Sequence, residues 1–150
     1  MKKVFSFFIF VSSFFLSFGQ TGNLVTNVGA VAFVSGTYTP TVTSTANIQS
    51  ASATECQYIR VGNVVTMSGS FSIDPISAST TTSIELSLPI ASNFDNISNL
   101  GGVARTTFFC EQTAFLSAQT TTDRIDVDFI SSASCVLISV YTFSLTYKII

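Results

Sequence analysis

Histidine is absent from this chain of 150 residues, and charged residues make up only 9% of it. Without an imidazole, neither a Ser-His-Asp nor a Cys-His catalytic site can form, because both use that side chain as the base. The zinc sites that use histidine are excluded for the same reason. The sequence also has no glycine-rich phosphate loop of the Walker or dinucleotide type. We therefore expect no cofactor and no enzyme activity of these kinds.

Basic residues are scarce as well. Six Lys and Arg stand against eight Asp and Glu, so the formal net charge is −2, and loss of Lys2 and Lys3 would take it to −4. Proteins that bind nucleic acid carry a basic surface that neutralises phosphates. This sequence has no basic patch, so nucleic acid is not an expected partner.

The abundant residues are those that favour β-strands. Serine, threonine, valine, isoleucine and phenylalanine dominate, with 15 phenylalanines. β-Branched and aromatic side chains suit a pleated surface, whereas a helical bundle would need Glu, Lys, Ala and Leu in quantity. Beyond the N-terminal segment, no stretch has a convincing period of 3.6 residues. Composition and patterning together predict an all-β fold.

The stretch 58–74 carries the clearest strand pattern. It predicts two strands joined by a tight turn at Gly62 and Asn63, because glycine adopts positive φ without steric cost and Gly-Asn between alternating runs is a hairpin signal. Apolar and polar residues alternate along the second strand, which gives one face for a core and one for water. A two-residue turn pairs Arg60 with Val65, Tyr58 with Met67, Cys56 with Gly69 and Thr54 with Phe71.

Further strands are predicted on both sides of this hairpin. They are a short strand at 30–34, an edge strand at 37–44 that contains Pro40, and strands at 83–88, 103–110, 113–119, 124–130 and 139–149. The segments 44–53, 75–82 and 91–99 are polar, and we expect them to be loops that could contact a receptor. About eight strands separated by turns predict an antiparallel β-sandwich of jelly-roll-like type over residues 36–150.

The first 19 residues have the layout of a secretory signal peptide. Lys2 and Lys3 precede an apolar run of about 15 residues, and cleavage after Gly19 would expose Gln20. The run is shorter than the roughly 20 residues of a membrane span. Residues 1–19 are therefore interpreted as a signal peptide or as a retained apolar anchor, and a membrane contact is expected only in the second case. Residues 20–35 are interpreted as a connecting arm.

One cluster of carboxylates stands out. Asp126 and Asp128 point to the same side of a predicted strand, with Asp123 and Arg124 beside them. They could hold a hard cation such as calcium or form a glycosidase pair with another carboxylate. The interpretation that we favour is a solvated strand face whose charges discourage aggregation, because calcium needs six or more oxygen ligands and no calcium loop is present. We predict no metal site.

Cysteines and tyrosines are the remaining candidates. In an exported chain the three cysteines allow three disulfide pairings. The hairpin register makes Cys56 a small core residue, which leaves Cys110 and Cys135 as the candidate disulfide. Tyrosines could form a platform on which a sugar stacks, but all of them except Tyr38 fall on predicted inward faces, where core packing is the better interpretation.

Five motifs follow one another in an order and spacing that resemble the C-terminal head domains of phage tail fibres and related virion proteins. The motifs are GTYTPTVT from Gly36, CQYIRVGNVVTMSGSFSID from Cys56, LSLPIAS from Leu86, TDRIDVDF from Thr122 and YTFSLTYKII from Tyr141. The pattern of that family is similar to G-T-[WY]-T-P, then Y-x-[KR]-x-G-x-x-V-x-x-x-G, then T-Y-x-[IV]. Its positions correspond here to Gly36, Thr37, Tyr38, Thr39 and Pro40, to Tyr58, Arg60, Gly62, Val65 and Gly69, and to Thr146, Tyr147 and Ile149.

The resemblance implies a β-sandwich, often trimeric, at the tip of a virion appendage, where loops contact the host. It implies no catalytic residues, because the family's role is binding. Two features depart from the family, namely the short arm in place of a fibre shaft and the signal-like N-terminus.

Three functions follow as expectations. The first is a non-enzymatic protein of the virion surface or tail-fibre head that binds a glycan or protein receptor on the host cell as a homotrimer. The alternative is a secreted, extracellular bacterial adhesin or matrix component built on the same domain. A small glycoside-active enzyme that uses Asp126 or Asp128 is the third hypothesis.

Overall fold

A computed structural model of the chain describes residues 33–107, 112–132 and 137–150. These residues are 65% β-strand with almost no helix, and every strand pair is antiparallel. The strands are β1 Phe33–Tyr38, β2 Val42–Ala46, β3 Ile48–Ala53, β4 Cys56–Val61, β5 Val64–Pro75, β6 Thr81–Leu86, β7 Leu100–Thr106, β8 Thr113–Gln119, β9 Arg124–Ile130 and β10 Ser139–Lys148, with a 3-10 turn at Ile97–Asn99. No helix in this part of the chain is long and apolar enough to cross a membrane. The predicted all-β, antiparallel class is confirmed.

The strands form one curled sheet in the order β1-β4-β5-β10-β7-β8-β9-β6-β2, and β3 also pairs with β5. The curl follows from the stretch that contains β2 and β3. Its first part pairs with β6 and its second part with β5, so one run of chain joins strands that lie far apart along the sheet. The resulting shape is a half-barrel with an inner face and an outer face.

The predicted loop at 44–53 is wrong, because β2 and β3 occupy it. The two strands meet at Asn47, which has a φ of 58°. Its side-chain amide donates to Ser77 O at 2.8 Å and to Thr82 Oγ1 at 2.7 Å, and its Oδ1 accepts from Ser77 N at 2.9 Å. Small polar residues have weak strand propensity, but partners on β5 and β6 override it. This is why ten strands are present where about eight were predicted.

The predicted hairpin is confirmed at its turn. Gly62 has a φ of 62°, and Tyr58 faces Met67 while Arg60 faces Val65. The predicted pairing of Thr54 with Phe71 is wrong, because Ala53 takes that position. Between the pairs Ala53–Phe71 and Gln57–Ser68, one more residue lies on the first strand than on β5. The chain bulges at 54–55 to accommodate it.

The predicted edge strand at 37–44 is divided in two. β1 ends at Tyr38 and β2 begins at Val42, with Pro40 between them. Proline has no N–H to donate, and the N–H of Thr41 donates to the Ser87 hydroxyl at 2.8 Å instead of to a strand. The two parts lie at opposite ends of the strand order. β1 also runs across position 36, where the predicted arm and domain meet.

The inner face of the sheet holds the core. Its larger fully buried side chains are Val65, Met67, Phe71, Ile73, Ile84, Leu86, Ile125, Val127, Tyr141 and Tyr147. Phe71 stacks on Tyr141 with ring centroids 5.3 Å apart, and Phe129 contacts Tyr141 at 5.2 Å. Burying an aliphatic or phenyl side chain contributes roughly 1.5–3 kcal/mol. The predicted alternation along β5, β9 and β10 is confirmed, because it places these residues inside.

Candidate functional site

The cysteines do not form part of a described site. Cys110 and Cys135 lie outside the described residues, so their disulfide stays a prediction. Cys56 is a free, buried thiol, as predicted for a core residue. Burial raises its pKa, and the hydrogen bond from the backbone of Ser70 only partly opposes that rise. A thiol of this kind is a weak nucleophile.

The four tyrosines do not form an exposed platform. Tyr141 and Tyr147 are fully buried, as predicted, and burial raises the pKa of both hydroxyls. Tyr58 is half-buried and packs against the core. Tyr38, the predicted exception, also packs against the core, and its hydroxyl lies 2.5 Å from Ser87 Oγ. Stacking of a ligand on tyrosine therefore has no support in this part of the chain.

Asp123 acts as a clamp on the loop 91–99 and is separate from the other carboxylates. Its two oxygens accept hydrogen bonds from the backbone N–H groups of Ser92, at 2.9 Å, and Phe94, at 3.0 Å. Phe94 is buried, and its ring meets Tyr147 edge-on. The loop predicted to contact a receptor is therefore tied to the turn between β8 and β9.

Asp126 and Asp128 lie on the outer face of β9, as predicted. Asp126 faces Glu85 on β6 and Ser117 on β8. Sequence reasoning missed Glu85 as a member of this group, because it lies 41 residues before Asp126 and only the pairing of β6 with β9 brings the two together. Arg124 Nε lies 3.3 Å from Glu85 Oε2, so this guanidinium is already paired.

Burial, together with the negative charges of Asp128 and Glu85, raises the pKa of Asp126 to about 6. A glycosidase pair of Asp126 or Asp128 with a carboxylate elsewhere in the chain stays a prediction. Among the described residues, no three acidic or cysteine side chains are arranged to hold a metal ion.

A hollow of about 400 Å³ lies on the outer face along β7, between β10 and β8. The residues that line it are Val103, Arg105, Thr113, Thr142, Phe143 and Ser144. The sheet register explains its shape. Arg105 pairs with Thr142 on one side and Thr113 on the other, so a long cationic side chain lies between two short side chains that carry hydroxyl groups.

Two neighbouring glycines of β7 have opposite surroundings on the two faces of the sheet. Gly102 faces inward, where an added Cβ would lie 2.5 Å from Leu145 Cβ, so only glycine lets β7 approach β10 this closely. Gly101 faces outward, and an added Cβ there would have no atom within 4 Å. The outer surface beside Val103 is therefore open to a ligand.

Val103, which lines this hollow, lies beside another exposed apolar residue, Phe115. Val103 and Phe115 face one another across β7 and β8 and are 56% and 71% exposed. Sequence reasoning missed Phe115 as a surface residue. The signal was present, because Ala114, Leu116 and Ala118 alternate with it and share the opposite face.

Arg105 is the cation of this hollow, and it forms no hydrogen bond or ion pair with any described residue. The other guanidinium groups are used. Arg124 pairs with Glu85, and Arg60 Nε donates to the carbonyl of Gly62 at 2.7 Å, in its own hairpin turn. A second hollow, of about 280 Å³, is lined by Ser35, Gln57, Tyr58, Ile59, Thr66 and Ser68 and contains no charged group.

The arrangement over β7 and β8 can bind a ligand but offers no nucleophile with a base beside it. Comparison with protein-family models, with curated proteins and with solved structures found no match to the chain. The resemblance to fibre head domains therefore rests on the sequence motifs alone.

Proposed function

We propose that the chain is a non-enzymatic attachment protein of the virion-surface or tail-fibre-head type, which binds a host-cell receptor as a homotrimer. The observation that carries the proposal is the pair Val103 and Phe115, exposed on the outer face beside Arg105, which has no partner among the described residues. Exposed aromatic side chains and arginine are enriched where proteins bind partners. In this proposal, contact with a partner buries the Val103 and Phe115 side chains together.

In this proposal, the residues that carry the family resemblance form the scaffold of the domain. Tyr58, Gly62, Val65 and Gly69 build the hairpin and its packing, and none of them lies in the hollow over β7. They would keep the shape of the domain while the outer face adapts to a receptor.

We include in the proposal a two-layered, jelly-roll-like packing of the curled sheet. What supports it is the contact of Phe129 with Tyr141, at 5.2 Å between ring centroids. These rings belong to β9 and β10, and two strands separate those in the sheet order. The core is thus packed by side chains from distant parts of the same sheet, as in a sandwich.

A secreted bacterial adhesin is the second candidate. The observation in its favour is the N-terminal sequence, where Lys2 and Lys3 precede an apolar run. The location would then be extracellular rather than the virion surface, with the same outer face for binding.

The test uses the full chain. Purified protein labelled with a fluorophore is titrated onto host cells, and its molar mass is measured by light scattering. We expect saturable binding by a trimer, and Phe115→Ser should weaken it at least tenfold, with Phe33→Ser as the control for another exposed phenylalanine. A monomer that does not bind cells at micromolar concentration would reject the proposal. Intact mass separates the two candidates, since loss of residues 1–19 indicates export.

A further inference from the structure

We infer that the hollow over β7 binds an acidic sugar, that is, a saccharide ring that carries a carboxylate. Arg105 would hold the carboxylate, and Val103 and Phe115 would contact the ring. The inference rests on the proposed function and names the receptor chemistry for the same face of the sheet. It places the binding site on the outer face of β7, β8 and β10, whereas the sequence predicted it in the loops.

Charge complementarity points to the carboxylate. A guanidinium presents paired N–H donors that match the two oxygens of a carboxylate. Arg105 is exposed, and it has no acceptor among the described residues. Lys148 is also exposed on the outer face but lies at the far end of β10, opposite Val64. Arg105 is the cation with hydroxyls on both sides of it.

The neighbouring side chains suit a sugar ring. Hydroxyl groups both donate and accept hydrogen bonds, and the hollow has three, on Thr113, Thr142 and Ser144. The C–H face of a sugar is apolar and can pack on an aromatic or branched side chain. Val103 and Phe115 supply such a surface in the row next to Arg105. The volume of about 400 Å³ lies within the range of ligand sites.

The carboxylates of β9 limit what else can bind. Asp128 faces Phe115 directly, and Asp126 lies on the same strand face. A polyanion such as nucleic acid or a polyphosphate would be repelled by these charges. A ligand with one carboxylate can keep it on the Arg105 side and turn its hydroxyls toward Asp128, which accepts hydrogen bonds. A carboxylated sugar carries one negative charge and a phosphorylated one about two, so repulsion from Asp126 and Asp128 favours the carboxylated sugar.

The experiment is a glycan array followed by calorimetry with the full-length protein. The probes are a sialylated trisaccharide, a glucuronate oligosaccharide, their neutral counterparts and a phosphorylated sugar. We expect one of the two carboxylated probes to bind, and which one binds identifies the kind of acid that the site recognises. The neutral counterpart of that probe should bind at least tenfold more weakly. Binding should weaken further as salt is raised, since the charges are exposed.

The variants locate the site. Arg105→Met should reduce affinity at least tenfold, because the charge-assisted hydrogen bonds to the carboxylate are lost. Lys148→Met is the matched control, which removes the same charge from the same face and should leave affinity within twofold. Thr142→Val should weaken binding less than Arg105→Met does.

Three results would overturn the inference. They are equal affinity of Arg105→Met and the wild type, equal binding of acidic and neutral sugars, and a preference for the phosphorylated probe. Cell binding distinguishes this failure from failure of the proposed function. If the protein binds cells but Arg105→Met binds them equally well, only the sugar site is wrong. If neither protein binds cells, the proposed function is wrong too.

Discussion

The two faces of β8 differ in the size and exposure of their side chains. Its inner face carries Ala114, Leu116 and Ala118, all buried, while its outer face carries Phe115, which is mostly exposed. Rings from other strands fill the core instead, as in the contact of Phe71 with Tyr141. Phenylalanine therefore stabilises the fold on one face and presents a contact surface on the other. Which face a residue occupies, rather than its hydrophobicity, decides what its removal should do.

Truncating one phenylalanine on each face gives the largest predicted difference. Phe71→Ala should lower the free energy of unfolding by about 3–5 kcal/mol, because it leaves a cavity beside Tyr141. Phe115→Ala should change it by less than about 0.5 kcal/mol, since the ring is already in water. Urea denaturation followed by circular dichroism measures both. Equal losses would mean that Phe115 is buried in solution.

Glycines on the two faces provide the second test. An added Cβ at Gly69 would lie 2.2 Å from Cys56 Sγ, so Gly69→Ala should cost about 1–3 kcal/mol of stability. Gly101→Ala on the outer face meets no atom within 4 Å and should be neutral. Adding Cys56→Ala to Gly69→Ala should recover part of the loss. Full stability of Gly69→Ala would contradict the packing of β4 on β5.

Removal of a carboxylate should also affect stability differently in the turn before β9 and on the outer face of that strand. Asp123→Asn keeps a residue type that tolerates the positive φ of 53° but removes one of two acceptors for the loop 91–99. We expect a loss of about 1–2 kcal/mol, since one buried N–H is left without a partner. Asp128→Asn on the outer face should not destabilise the protein. Thermal unfolding at neutral pH compares the two, and a smaller effect at Asp123 would refute its role as a clamp.

The smallest effect is a dependence on pH. The folded protein raises the pKa of Asp126 from 3.8 to about 6, so the native state binds more protons than the unfolded state between those values. Stability should therefore fall as pH rises through this window. Asp126→Asn should stabilise the protein at pH 7.5 by up to about 1 kcal/mol, because partial exposure screens the charges, and should have no effect near pH 3.5. The exposed Asp95→Asn is the control, and the same gain at both pH values would refute the assignment.

Alternation of residues predicted most of the fold. It located the hairpin turn at Gly62, the inward rows of β5, β9 and β10, and the core position of Cys56, because period-two patterning reports which face is buried. It failed at β2 and β3, where small polar residues carry no such pattern. Those strands exist because partners far along the chain pair with them, and a local pattern does not contain that information.

The candidate site was harder to predict, for a related reason. Arg105, Thr113 and Thr142 come from three strands and meet only because β10 lies beside β7. The sequence shows each of them as an ordinary outward residue. Asp126 and Asp128 form a cluster that the sequence shows directly, because they are close along the chain. Closeness along the chain does not indicate which side chains from different strands lie together at a ligand site.

The position of β10 also bears on how fast the protein folds. This strand lies between β5 and β7, and its pairs with β5 run from Ser139–Ile73 to Lys148–Val64. A long stretch of chain must be brought together before these contacts form, and the loss of chain entropy precedes the gain from pairing. We expect refolding on a timescale of milliseconds to seconds, during which β5 and β7 have an unpaired edge where β10 will later lie. Refolding at high protein concentration should therefore favour strand exchange between chains over correct closure.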